Sequence, residues 1–167
     1  MIITLAGTDT FRVQTGGLTV ATEGSAGGAG RMKPDIFLRT SSERRDLPDA
    51  GFTVNGPGEY EIRGVDITGI PPFTYIVGAE DLRLAFISHA DVKILDKLNR
   101  IDIAFVTNID GIASFIRQVE PRMVVTPAGI GAIVAKELGL AAETMDKLTL
   151  KRKDLSAGDT KLVCLTP

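Results

Sequence analysis

One cysteine and one histidine are all that 167 residues hold of those two types, and the chain has neither a surplus of charge nor a long apolar run. A lone thiol, Cys164, cannot form an internal disulfide and cannot supply the several soft ligands of a structural zinc site, so a reducing compartment is expected. Nineteen basic against twenty-one acidic side chains leave a net charge of −2, which gives no broad positive field to draw nucleic acid or anionic lipid. Neither partner is expected. No apolar stretch approaches the roughly 20 residues that cross a bilayer, and Met1 to Ala6 lack the basic region and cleavage site of an export signal. A cytoplasmic location follows as the expectation. What is present is ordinary for a globular protein: 44% hydrophobic and 24% charged residues, enough for a packed core and, at this length, for a single domain over 1–167.

The first half reads as strands. Ile2 to Leu5, Phe11 to Gln14 and Leu18 to Ala21 are short β-branched and aliphatic runs divided by turn formers, predicting an antiparallel meander. Residues 24–31, nearly all glycine, alanine and serine, have few side chains to pack and are expected to form a flexible loop. Asp35 to Arg39 predicts a strand, and the polar stretch Thr40 to Asp49 that follows is expected to be exposed to solvent. Strands resume at Phe52 to Val54, Glu59 to Arg63, Val65 to Ile67, Tyr75 to Val77 and Leu82 to Ile87, with Gly56-Pro57-Gly58 as a tight connection between the first two.

After Ser88 the period changes. Val92, Leu95 and Leu98 keep helical spacing, Ile103 to Val106 is a compact strand, and Ile112, Phe115, Ile116 and Val119 share a helix face stopped at Pro121. Met123 to Val125 is a buried strand, Ile130 to Leu138 a helix ended by Gly139, and Leu148 to Leu150 and Leu162 to Leu165 close the chain as strands. The order is βαβ, so the expected class is α/β (α+β) with helices covering the sheets.

The string from Asn55 to Pro71, Asn-Gly-Pro-Gly-Glu-Tyr-Glu-Ile-Arg-Gly-Val-Asp-Ile-Thr-Gly-Ile-Pro, resembles a stretch of small, stand-alone members of the metallo-β-lactamase fold superfamily. The order of the surrounding elements agrees with that family. The resemblance implies an αββα sandwich of two mixed sheets with outer helices, here trimmed, and its zinc-dependent members hydrolyse esters, amides or phosphodiesters. The chemistry does not transfer. Where the family carries His-x-His-x-Asp-His, this chain has Ser41-Ser42-Glu43-Arg44-Arg45-Asp46: Ser41 and Glu43 replace imidazoles, Arg45 the aspartate and Asp46 the last imidazole. A guanidinium repels a divalent cation and cannot coordinate it. The family's bridging aspartate falls on or near His89 and its final histidine near Ala128, so zinc is not expected.

What remains is a former active-site cleft, with Ser41, Glu43, Arg45, Asp46 and His89 as candidate ligand-binding residues and no catalytic assignment. The expected function is a catalytically inactive relative acting as a cytoplasmic binding or assembly module, with a protein partner or a second copy and no cofactor. The alternative is a metal-dependent hydrolase whose oxygen-rich Mg²⁺ or Mn²⁺ site is built from Glu43, Asp46, Asp91 and His89, with Asp49 in reach. Other features carry less. Ser88 and His89 are adjacent, and strand alternation is expected to point them apart. The glycine run lacks P-loop spacing, and Glu59 and Glu61, on one strand face, have no argument for a raised pKa. Arg39, Arg44 and Arg45, and Lys151 to Lys153, are small basic clusters; the first could receive an anionic ligand if it lines the cleft.

Overall fold

The structure, a computed structural model, describes residues 1–24, 32–42, 47–155 and 158–167. The meander forms as expected: β1 (Ile2–Ala6), β2 (Thr10–Thr15) and β3 (Leu18–Thr22) pair antiparallel, and β4 (Ile36–Leu38) and β5 (Phe52–Val54) extend the sheet in parallel. In β1, Ile3 and Leu5 are buried while their neighbours are half-exposed, the period-2 pattern of a sheet with one face on a core.

The second sheet takes its antiparallel half from β6 (Gly58–Ile62), β7 (Val65–Ile70), β8 (Thr74–Ala79) and β9 (Leu82–Ile87). Its parallel half adds β10 (Ile103–Val106), β11 (Met123–Pro127) and β14 (Lys161–Leu165), with β12 (Ala142–Met145) on the far edge. β10 is buried at all four residues because both its faces are covered. The last strand, β13 (Lys147–Thr149), crosses back to pair with β1, so both sheets are mixed, with six and eight strands.

The main core lies between the sheets, where Phe105 stacks on Phe86 at 4.4 Å and meets Phe11 edge-on at 5.0 Å. Phe86 and Phe105 are register partners on neighbouring parallel strands, which puts their rings side by side. A second core lies on the other face of the larger sheet, under α1 (Ile112–Val119) and α2 (Ala128–Leu138). The expected stripe of Ile112, Phe115, Ile116 and Val119 is the buried face of α1, each side chain contributing about 1.5–3 kcal/mol by leaving water. Gly139 ends α2 at φ 71°, as expected, while α1 ends one residue before Pro121 on Glu120, which takes a left-handed cap.

Two expectations need correction, and two features were not anticipated. Val92 to Leu98 is not an α-helix facing the core along its length: Val92–Lys97 forms a 3₁₀ helix in which Val92 is 66% exposed, and Ile94 and Leu98 make the buried contacts. Asp91 caps it by accepting from the Lys93 N–H. Gly56-Pro57-Gly58 connects Phe52–Val54 to the next strand, as expected, but the two strands belong to different sheets. It carries the chain from β5, the edge of the first sheet, to β6, the edge of the second, and it packs so closely on β7 that a Cβ at Gly69 would overlap the Gly56 carbonyl. β12 carries no apolar run, being exposed over most of its length, and was not anticipated. Finally, among the described residues the helices cover one sheet only; behind the other, Phe37 and Ala21 are buried by Met32 and Ala50. Most of the glycine-rich loop (25–31) lies outside the described residues, but Gly24 is buried, its Cα against the Thr10 side chain. No helix among the described residues is long and apolar enough to cross a membrane.

Candidate functional site

Parallel strands end together, and the loops that follow them converge on one side of the fold. Here the carboxyl ends of β3, β4, β9 and β10 enclose a cleft of about 330 Å³. Glu23 and Gly24 follow β3, Thr40 and Ser41 follow β4, Ser88 and His89 follow β9, and Thr107 to Ile109 follow β10; Asp9 and Ile130 complete the rim. Below it a narrow extension of about 20 Å³ runs between the rings of Phe11, Phe86 and Phe105 and the polar wall of Thr22, Glu23 and Thr40, room for about one water molecule.

The cleft floor is tied by its own hydrogen bonds. Glu23 is 9% exposed, and its carboxylate accepts from the Ser41 N–H at 3.2 Å while its carbonyl accepts from the Thr40 hydroxyl at 3.2 Å. The residue thus clamps the segment after β4 onto the end of β3. From beneath, the buried Tyr75 hydroxyl donates to the Arg39 carbonyl at 2.7 Å and accepts from the Gly56 N–H at 3.2 Å. Burial pushes its phenol above the ordinary value, so the group stays protonated and able to donate.

Ser88 and His89 do not point apart. β9 ends at Ile87, so strand alternation no longer applies, and His89 Nδ1 lies 3.1 Å from Ser88 Oγ. Ser88 nevertheless donates its one hydroxyl proton to the Phe73 carbonyl at 3.0 Å, so His89 is not placed to take that proton and the pair is not an activated nucleophile.

Of the residues expected in the cleft from sequence, Ser41 and His89 line it. Glu43, Arg45 and Asp46 lie outside the described residues, as does Arg44. Asp91 is spent on capping its 3₁₀ helix, and Asp49 is an exposed partner of Lys33 at 2.9 Å. Among the described residues no three His, Cys, Asp or Glu side chains converge on one point, and the chain has a single imidazole. This donor set does not fit the zinc centre of the fold's metal-dependent members. Sequence reasoning missed Asp9, Glu23, Thr40, Thr107 and Asn108. The available signal was Glu23 itself, a charge directly after an apolar strand.

Elsewhere, Glu59 and Glu61 share an exposed strand face as expected, Glu61 accepting from the Gly64 N–H. A larger open groove of about 750 Å³ at the opposite end of β9 mixes Asp66 and Glu80 with Arg83 and Arg152, without an imidazole. Lys151 to Lys153 are exposed.

No protein-family description matches this chain, and no curated protein does. Solved structures do. A provisionally assigned Zn-dependent hydrolase of the metallo-β-lactamase superfamily from Thermotoga maritima superposes with a TM-score of 0.76 at 14% identity, over 99% of this chain and 100% of that one. A provisionally assigned metal-dependent hydrolase from Parabacteroides distasonis gives 0.63 at 14% identity, over 98% and 93%. A metallo hydrolase from the archaeon Ignicoccus hospitalis gives 0.59 at 13% identity, over 90% and 99%. The chain has the metallo-β-lactamase fold, as two mixed sheets with few helices among the described residues.

Proposed function

We propose that this metallo-β-lactamase-fold protein is not a hydrolase but a cytoplasmic binding module that takes up its ligand in the cleft at the ends of β3, β4, β9 and β10. One observation carries the reading. The only imidazole of the chain, His89, sits at the cleft beside a serine whose proton is committed to a backbone carbonyl. That arrangement supports neither a multi-histidine metal centre nor a serine activated by a base. An assembly role, through a protein partner or a second copy, has less support: the exposed apolar side chains Leu47, Phe52, Val92 and Ile133 fall on separate segments and are of the kind that soluble proteins scatter singly.

The rival is the oxygen-rich Mg²⁺ or Mn²⁺ hydrolase of Glu43, Asp46, Asp91 and His89. Asp91 weighs against it, since it is not among the residues that line the cleft with His89. The test is a screen of ester, amide and phosphodiester hydrolysis with added Zn²⁺, Mn²⁺ or Mg²⁺, alongside melting curves at rising metal concentration. We expect no metal-dependent turnover and no concentration-dependent rise in Tm. Turnover that needs metal and is lost in Asp46→Asn or His89→Gln overturns the reading.

A further inference from the structure

Resting on the binding reading above, we infer that the cleft recognises its ligand chiefly by accepting hydrogen bonds, so that the ligand is a small molecule presenting O–H or N–H donors rather than an anion. The argument is an account of protons. A hydroxyl has one, and that of Ser88 goes to the Phe73 carbonyl at 3.0 Å. Toward His89 Nδ1, 3.1 Å away, Ser88 Oγ can therefore only accept. In the neutral ring the proton must then lie on Nδ1, which leaves Nε2 as a bare acceptor. The Thr40 proton is likewise committed, to the Glu23 carbonyl, so its oxygen has only lone pairs left to offer. The backbone N–H of Ser41 is spent on the Glu23 carboxylate. Against these, Asn108 uses its side-chain oxygen on the Asp110 N–H and keeps its NH₂ group to donate.

Among the described residues, the lone pairs at Thr40 and His89 beside the donor at Asn108 suit a polyol or an amino alcohol. A carboxylate, which carries only lone pairs, would leave both acceptors facing its oxygens, and a phosphate dianion, with a single O–H, would leave at least one, each unmet group costing binding energy.

One imidazole in the chain makes the test direct. In ¹⁵N-labelled protein at alkaline pH, long-range ¹H–¹⁵N correlation reads which ring nitrogen carries the proton. The Nδ1–H form is expected in the native protein, returning toward the Nε2–H form usual for a histidine side chain in water in Ser88→Ala, with the remaining amide spectrum showing that the variant folds. Titration then uses glycerol, ethanolamine, inorganic phosphate and Zn²⁺. Glycerol or ethanolamine should move the Nε2 resonance at millimolar concentration; whichever does so names the hydroxyl or the amine as the donor. An Nε2–H native ring, a stoichiometric Zn²⁺ shift, a phosphate shift, or no shift from either donor overturns the inference. A phosphate shift without turnover would sink it while leaving the non-hydrolytic reading intact, and metal-dependent turnover would sink that reading whatever the tautomer.

Discussion

Helix α2 opens beside the cleft, where Ile130 is part of the rim, and its next residue decides how the helix seats on the sheet. A Cβ at Gly131 would overlap Cys164 Sγ and lie 3.2 Å from Cys164 Cβ. Both are fixed in place: Cys164 is 3% exposed on a strand between β11 and β12, and Gly131 is buried. Replacing Gly131→Ala therefore sets two opposed effects against each other. Alanine improves helix propensity by about 1 kcal/mol over glycine, whereas forcing an extra carbon into a packed core costs about 1–3 kcal/mol. Overlap with a sulfur atom that cannot swing into solvent places the cost in the upper part of that range, for a net loss of about 1–2 kcal/mol. In a chain of this size that is a fall in Tm of about 2–8 °C. The variant Cys164→Ala removes the sulfur and leaves only the 3.2 Å approach, which small shifts relieve. In that background Gly131→Ala should be close to neutral, a coupling of about 1–2 kcal/mol between the two sites. Urea denaturation of the four proteins of this cycle measures it. A stabilised Gly131→Ala, or a cycle additive within error, would refute the close packing of α2 on β14.

Two further predictions concern a buried hydroxyl beneath the cleft and a carboxylate at the opposite end of the fold. Tyr75→Phe removes a hydroxyl that serves both the Arg39 carbonyl and the Gly56 N–H; losing it should cost about 1–3 kcal/mol, and an unchanged melting temperature would show that the clasp is idle. Glu80 is subject to burial, which raises its pKa, but hydrogen bonds from the Met1 ammonium, the Thr15 hydroxyl and the Gly16 N–H outweigh this and hold it below the ordinary value. A carboxyl depressed in the folded state contributes stability above its unfolded pKa of about 4.3 and loses it as pH falls through the lower folded value. Glu80→Gln should therefore flatten the acid limb of a stability-against-pH curve below about pH 4.5 while destabilising the protein at pH 7. A wild-type slope retained in the variant would assign the acid sensitivity elsewhere.

Local pattern carried most of the elements. Alternation in β7, the unbroken apolar run of β10 and the four-residue stripe of α1 each report how many faces of an element are covered, and burial by one face or two is written in side-chain polarity. The same signal fails where an element owes its existence to a neighbour. β12 is mostly exposed and is a strand because β14 offers its edge. Val92 has helical spacing from Leu95, yet the 3₁₀ turn leaves it in water.

By itself the sequence determined a strand-rich first half, a βαβ second half, the metallo-β-lactamase-like order and a single imidazole, because each of these is a matter of residue type and spacing along the chain. Only the tertiary structure decided which residues meet. It sends Gly56-Pro57-Gly58 between two sheets, brings Glu23 from β3 onto the loop after β4, and turns His89 onto a serine that strand geometry would have aimed away. Cleft chemistry depends on such contacts between segments distant in sequence, and on which atom has already given up its proton; neither is encoded in local periodicity.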